Sequence, residues 1–245
     1  MFVLTFLMMC LSALIGATFR KWLPTLEEGV GQDLDVIVAT TLTLLGLIIG
    51  FSFSMAISRY DQRKTYEEAE ANAIGTEYVR ADLLPTADAA KVRPLLRDYF
   101  DQRILFYKTR DEHELEQINK DTAQLQTELW SAVKAPTGAQ PTLLLGLAVS
   151  GMNDVLNSQG YTQAAWWNRI PIAAWCLIVV IAICSNLLFG YRSHRAGIRA
   201  IRLLVLPFVL GIAFFAIADI DSPRRGIIRV LPQNLISLAQ SLHGH

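Results

Sequence analysis

Cysteine and histidine are scarce in this 245-residue chain, and their scarcity removes most site chemistry at once. The three cysteines, Cys10, Cys176 and Cys184, all sit in strongly apolar stretches, where a thiol behaves as a small hydrophobe. Their spacing fits neither a zinc site nor a disulfide framework. His113, His194, His243 and His245 are scattered, so no metal site is expected. A Gly-rich phosphate loop, a nucleophile elbow and a His-Glu metalloprotease pair are also missing. Neither enzymatic activity nor a cofactor is expected. With 22 basic and 22 acidic side chains the net charge is zero, which leaves no basic footprint for nucleic acid.

Charge is also missing locally, and its distribution is informative. Residues 2–19, 36–58, 170–190 and 203–218 contain no Asp, Glu, Lys or Arg. A helix needs about 20 apolar residues to cross about 30 Å of hydrocarbon. The second and third runs meet that length, and the first approaches it. The fourth reaches it by extending back to about residue 198, with Arg199 and Arg202 snorkelling outwards. No Lys or Arg precedes the first run and no A-x-A site follows it, so it is read as a membrane helix rather than a cleaved leader. The expected fold is all-α, with four transmembrane helices in two hairpins. The first hairpin occupies 1–58 (helices about 2–19 and 36–58), and the second 166–218 (helices about 170–190 and 198–218). A helical extramembrane domain fills 59–165 between them, and 219–245 forms a C-terminal tail.

Periodicity supports helix throughout the domain. Residues 59–80 continue the second membrane helix, and RYDQRKTYEEAE (59–70) reads as a solvated juxtamembrane face. Pro85 ends that helix, and Thr86 is the expected N-cap of the next. Pro94 falls inside the pattern Val92, Leu95, Leu96, Tyr99 and Phe106, which predicts a later start or a bend. Leu115, Ile118, Thr122, Leu125, Leu129 and Ala132 recur at spacings of three and four, the seam of a helix packed on another. A last amphipathic helix runs over 142–158, and Trp166 and Trp167 are placed in an interfacial aromatic belt.

Two stretches carry candidate function. In GLIIGFSFSMAIS, Gly46, Gly50, Ser54 and Ser58 recur every four residues, a small-residue ridge suited to close helix packing. The adjacent stripe Leu47, Phe51 and Met55 is apolar at the same spacing. It is a candidate pore constriction of the kind that gates by dewetting, and contact with lipid or a neighbouring helix is its plainer reading. In ADIDSPRRGIIRV, Asp219 and Asp221 precede Arg224 and Arg225, a candidate charged corner where the chain leaves the membrane. Ser222-Pro223 stops the helix there. The corner is either a local ion-paired turn or, repeated around an oligomer axis, a charged vestibule ring.

LLGLIIGFSFSMAISRYDQRKTYEEAEANAIGTEYVRADLLP, NRIPIAAWCLIVV and ADIDSPRRGIIRV together resemble a bacterial membrane protein family labelled bestrophin-like. The resemblance spans residues 36–232 and is most specific in EANAIGTEYVRADLLP. It implies four membrane helices with a helical domain between the second and third. It also implies kinship to bestrophins, oligomeric anion channels whose second membrane helix lines an apolar neck, which Leu47, Phe51 and Met55 match in spacing. The acidic calcium clasp of animal bestrophins has no counterpart here, so calcium gating is not carried over. The expected partners are the lipid bilayer, further copies of the chain and inorganic ions. The two readings carried forward are an oligomeric pore and a non-conducting membrane scaffold or sensor. Lys and Arg near the spans number seven on the domain side (Arg59, Arg63, Lys64, Arg169, Arg224, Arg225, Arg229) and six on the other (Arg20, Lys21, Arg192, Arg195, Arg199, Arg202). That balance and the resemblance favour a bacterial inner-membrane protein with the domain and both termini cytoplasmic.

Overall fold

The computed structural model describes residues 2–22, 28–138, 142–192 and 199–243. Among these residues the regular elements are helical, with no strand. The α-helices are α1 (Phe2–Trp22), α2 (Glu28–Arg80), α3 (Thr86–Lys108), α4 (Glu112–Lys134), α5 (Leu143–Trp167), α6 (Ile172–Arg192), α7 (Arg199–Asp221) and α8 (Gln233–His243). Stretches long and apolar enough to cross a membrane lie within Phe2–Phe19, Gln32–Leu83, Leu143–Arg192 and Leu203–Asp221. The chain divides into two compact units, each assembled from two separate segments.

The membrane unit comprises Met1–Ser58 and Arg169–Ser222. Its backbone-to-backbone contact joins α1 to α6, which belong to different expected hairpins. Gly16 lies against the Leu187 carbonyl, and Gly190 against the Ala13 carbonyl, so closely that a Cβ at either position would overlap the backbone opposite. Small side chains line the same seam: Ser12, Ala13 and Ala17 on α1, with Ala182 and Ser185 on α6, are all buried. The Ser12 hydroxyl crosses it to donate to the Ile183 carbonyl at 2.7 Å. Without a hydrophobic force to drive helices together in lipid, close approach of this kind supplies the association. Met9, Leu45, Ile178, Ala182, Leu210 and Phe214 form the unit's core, so α2 joins it through Leu45. Helix α7 ends at Asp221, one residue before Ser222-Pro223.

The helical unit comprises Arg59–Asn168 and Pro223–His245. Its core takes Ile74 from α2, Val92, Leu96, Tyr99 and Phe106 from α3, Ile118 and Leu129 from α4, and Met152 and Val155 from α5. On α4 the 3–4 pattern faces inwards: Ile118, Thr122 and Leu129 are buried, and Leu115, Leu125 and Ala132 pack half-buried against the core. Thr86 is the first residue of α3 rather than its cap. Pro85 holds the cap position, and its carbonyl accepts from Asp88 N–H at 2.8 Å and Ala89 N–H at 2.9 Å. The helix runs through Pro94, which lies on its exposed side where water can satisfy the carbonyl that proline leaves unpaired. Asp111 caps α4 by accepting from His113 N–H at 2.8 Å. Helix α5 continues past residue 158 to Trp167. Trp166 is therefore a core residue stacked edge-on against Phe106 and Tyr107, not a member of an aromatic belt, whereas Trp167 is exposed.

Candidate functional site

The membrane part of α2 has one inward face and two outward ones. At about 100° per residue, Leu45, Ser52 and Ala56 fall together, and these are its buried positions. Leu47, Phe51 and Met55 lie roughly 200–280° round from Leu45, and they are 55%, 62% and 41% exposed. Gly46 and Gly50 lie roughly 100–140° round, and a Cβ at either would meet nothing within 4 Å. Ser54 and Ser58 are exposed as well. The small-residue ridge thus has no partner among the described residues of the chain. The seam that does bring two backbones together is the Gly16–Gly190 contact, where the residues that meet lie far apart in sequence.

The charged corner resolves into separate attachments. In the membrane unit, both carboxylate oxygens of buried Asp221 accept the Ile170 N–H, at 3.1 and 3.2 Å, which holds the start of α6 to the end of α7. Asp219 is buried too. In the helical unit, the Arg224 guanidinium lies 4.5 Å from the Phe106 ring centroid and 4.4 Å from that of Trp166. Its Nη1 donates to the Phe106 carbonyl at 2.7 Å, at the C-terminal end of α3, where a cation is favoured by the helix dipole. Arg225 forms an exposed ion pair with Glu112 at 2.6 Å.

The more unusual feature begins in 59–70, the stretch expected from sequence to be a solvated face. On α2, Arg63, Glu67, Glu70, Ile74 and Glu77 recur at spacings of four, three, four and three, and all five are buried. A hydrophobic seam has this period, but here four of its five positions are charged residues. Each acid has its own arrangement. Glu70 is fully buried and ion-paired with the Arg103 guanidinium, and it also accepts from the Tyr107 hydroxyl at 3.0 Å and the Thr162 hydroxyl at 3.1 Å. Burial is the largest influence on Arg103 and works against its charge, but Glu70, Tyr99 and Tyr107 together more than offset it and raise the pKa. Burial, with Glu70 adding to it, raises the Tyr107 pKa, so its phenol stays a donor. Glu67 accepts from Leu235 N–H at 3.0 Å and from the Asn234 side-chain amide at 2.6 Å, an anion on the first turn of α8. Residues of the expected tail are thereby built into the helical unit, where Val230 and Leu235 join the core.

Among the described residues, no group of three or more His, Cys, Asp or Glu side chains is placed to hold a metal ion. A bestrophin-like domain matches residues 28–235. The chain belongs to the bestrophin-like family. This bestrophin-like chain shares its fold with a bacterial bestrophin homologue from Klebsiella pneumoniae, at a TM-score of 0.65 and 14% identity, covering 98% of this chain and 99% of that one. It aligns similarly with the crystal structure of a membrane protein carrying a glycine-to-alanine change, at a TM-score of 0.68 and 13% identity over 99% and 96% of the two chains. No curated protein matches it significantly.

Proposed function

We propose that this bestrophin-like protein is an oligomeric ion pore in which α2 lines the path. The observation that carries the reading is the exposure of Leu47, Phe51 and Met55 beside an equally open glycine ridge, on a helix whose third face is already used by its own core. Both faces are uncovered among the described residues, open to lipid or to a second copy of the chain. Around an axis, one suits the lumen and the other the adjacent copy. The three apolar side chains extend over about 12 Å of helix, a narrow dry length that water crosses only when it widens.

Substitution at Phe51 tests the constriction. Phe51→Ala is expected to raise conductance or leak of the reconstituted protein, measured in planar bilayers at equal protein incorporation. Equal currents from parent and variant would remove Phe51 from the path. Silence of both, under every ion and voltage tried, would favour the scaffold reading.

The same proposal places the protein in a bacterial inner membrane with the helical unit and both termini cytoplasmic, following the slight excess of basic residues on that side. Gln117 is exposed on α4 and reports this directly. A single cysteine there, in a background lacking the native three, is expected to resist a membrane-impermeant thiol reagent in intact cells and to react after lysis. Labelling of intact cells would invert the orientation.

A further inference from the structure

Glu77 is the last member of the charged seam. Its side chain is fully buried, and among the described residues neither carboxylate oxygen has a hydrogen-bonding partner. It lies against Gly151 of α5, where a Cβ would overlap its Oε2 and come within 2.7 Å of the Arg80 guanidinium. The missing side chain at Gly151 is what lets the carboxyl lie flat on that helix. Two charged groups face it, Arg80 from α2 itself and Asp154 from α5.

We propose that Glu77 is a proton-operated latch between α2 and α5, closed when its carboxyl is neutral and strained open when that carboxyl ionises. A neutral carboxyl costs far less to bury than a carboxylate that accepts no hydrogen bond. Burial raises the Glu77 pKa to about 8, with Arg80 pulling it down and Asp154 pushing it up. The latch is therefore set to change state just above neutrality rather than in the acidic range of an ordinary glutamate. The sign follows from linkage. Between the unfolded value near 4.5 and the folded value near 8, the folded protein holds a proton that the unfolded chain has lost. Its contribution to stability is complete below the lower value and is lost as pH rises through the upper one. This proposal does not depend on the pore reading, because its readout is packing and not current.

The test uses the full chain in detergent or lipid nanodiscs, with thermal midpoints measured from pH 6 to pH 9.5. The midpoint of the parent is expected to fall, relative to Glu77→Gln, by about 5 °C across this window, because glutamine keeps the shape and cannot ionise. Hydrogen exchange should place the loss in α5 around Gly151 and in the facing turn of α2. A constant offset between the two proteins at all pH values would overturn the latch. Two further variants test it even if Glu77→Gln does not fold. Arg80→Gln should move the parent's transition to higher pH, and Asp154→Asn should move it to lower pH. Opposite shifts identify a titrating group between them, and a transition that neither variant moves would refute it.

Discussion

Arg103→Leu is expected to destabilise the helical unit by about 3–5 kcal/mol, the usual cost of removing one partner from a buried ion pair. Arg103 and Glu70 are both wholly excluded from solvent, so the loss would leave Glu70 with two hydroxyl donors and without its guanidinium. Arg103 also stacks 4.4 Å from the Phe106 ring centroid, so the variant loses packing as well as charge. Replacing both partners, Glu70→Leu with Arg103→Leu, should recover most of the loss, since a buried pair exchanged for apolar side chains is often close to neutral. Urea titrations of the full chain in detergent, followed by tryptophan fluorescence, would measure both. A single variant that unfolds with the parent would show that the pair is not closed.

Gly16→Leu should break the membrane unit at its tightest point. Even Gly16→Ala places a Cβ on the Leu187 carbonyl, and relieving that overlap moves backbone rather than a side-chain tip. Overpacking typically costs about 1–3 kcal/mol, and a leucine here should exceed that range and prevent recovery of folded protein. Gly50→Leu is the contrasting variant, because among the described residues nothing outside its own helical turn lies within 4 Å of a Cβ there. It should leave the protomer's melting unchanged and disrupt assembly if that ridge seats another copy. Thermal midpoints and native mass in detergent separate the two effects. A Gly16→Leu protein that melts like the parent would be incompatible with the α1–α6 contact.

The spans were legible because absence of charge over some twenty residues has almost no other physical cause in a protein of this length. Their pairing was not. Connectivity suggested hairpins, yet the contact that joins α1 to α6 depends on two glycines 174 positions apart, and nothing in either local pattern names the other. The seam on α4 was legible because its residues are apolar at a helical period. The seam at 63–77 has the same period, but charge is ordinarily a mark of solvent, and its burial becomes affordable only when Arg103, Tyr107, Thr162 and Leu235 are in place. Those partners come from three other elements, so no window of sequence contains both halves of the signal. The repeat of ionisable residues at spacings of four and three was the one available clue. Trp166 was misplaced for a similar reason: its neighbours Phe106 and Arg224 lie sixty and fifty-eight positions away. Leu47, Phe51 and Met55 are exposed on α2, and the proposal that they line a path is tested by the bilayer measurement.

Because Glu67 is matched to the backbone of Leu235, the helical unit cannot be completed early in synthesis. Most of its residues leave the ribosome before α6 and α7, but the segment that covers Glu67 leaves after both. At synthesis speeds of about 5–20 residues per second, a carboxylate destined for burial must stay hydrated for several seconds while two apolar helices enter the bilayer. Closure of the helical unit thereby becomes a late event that follows synthesis of all four candidate spans. A chain stopped at residue 232 would have all four spans and still present an open, protease-sensitive domain.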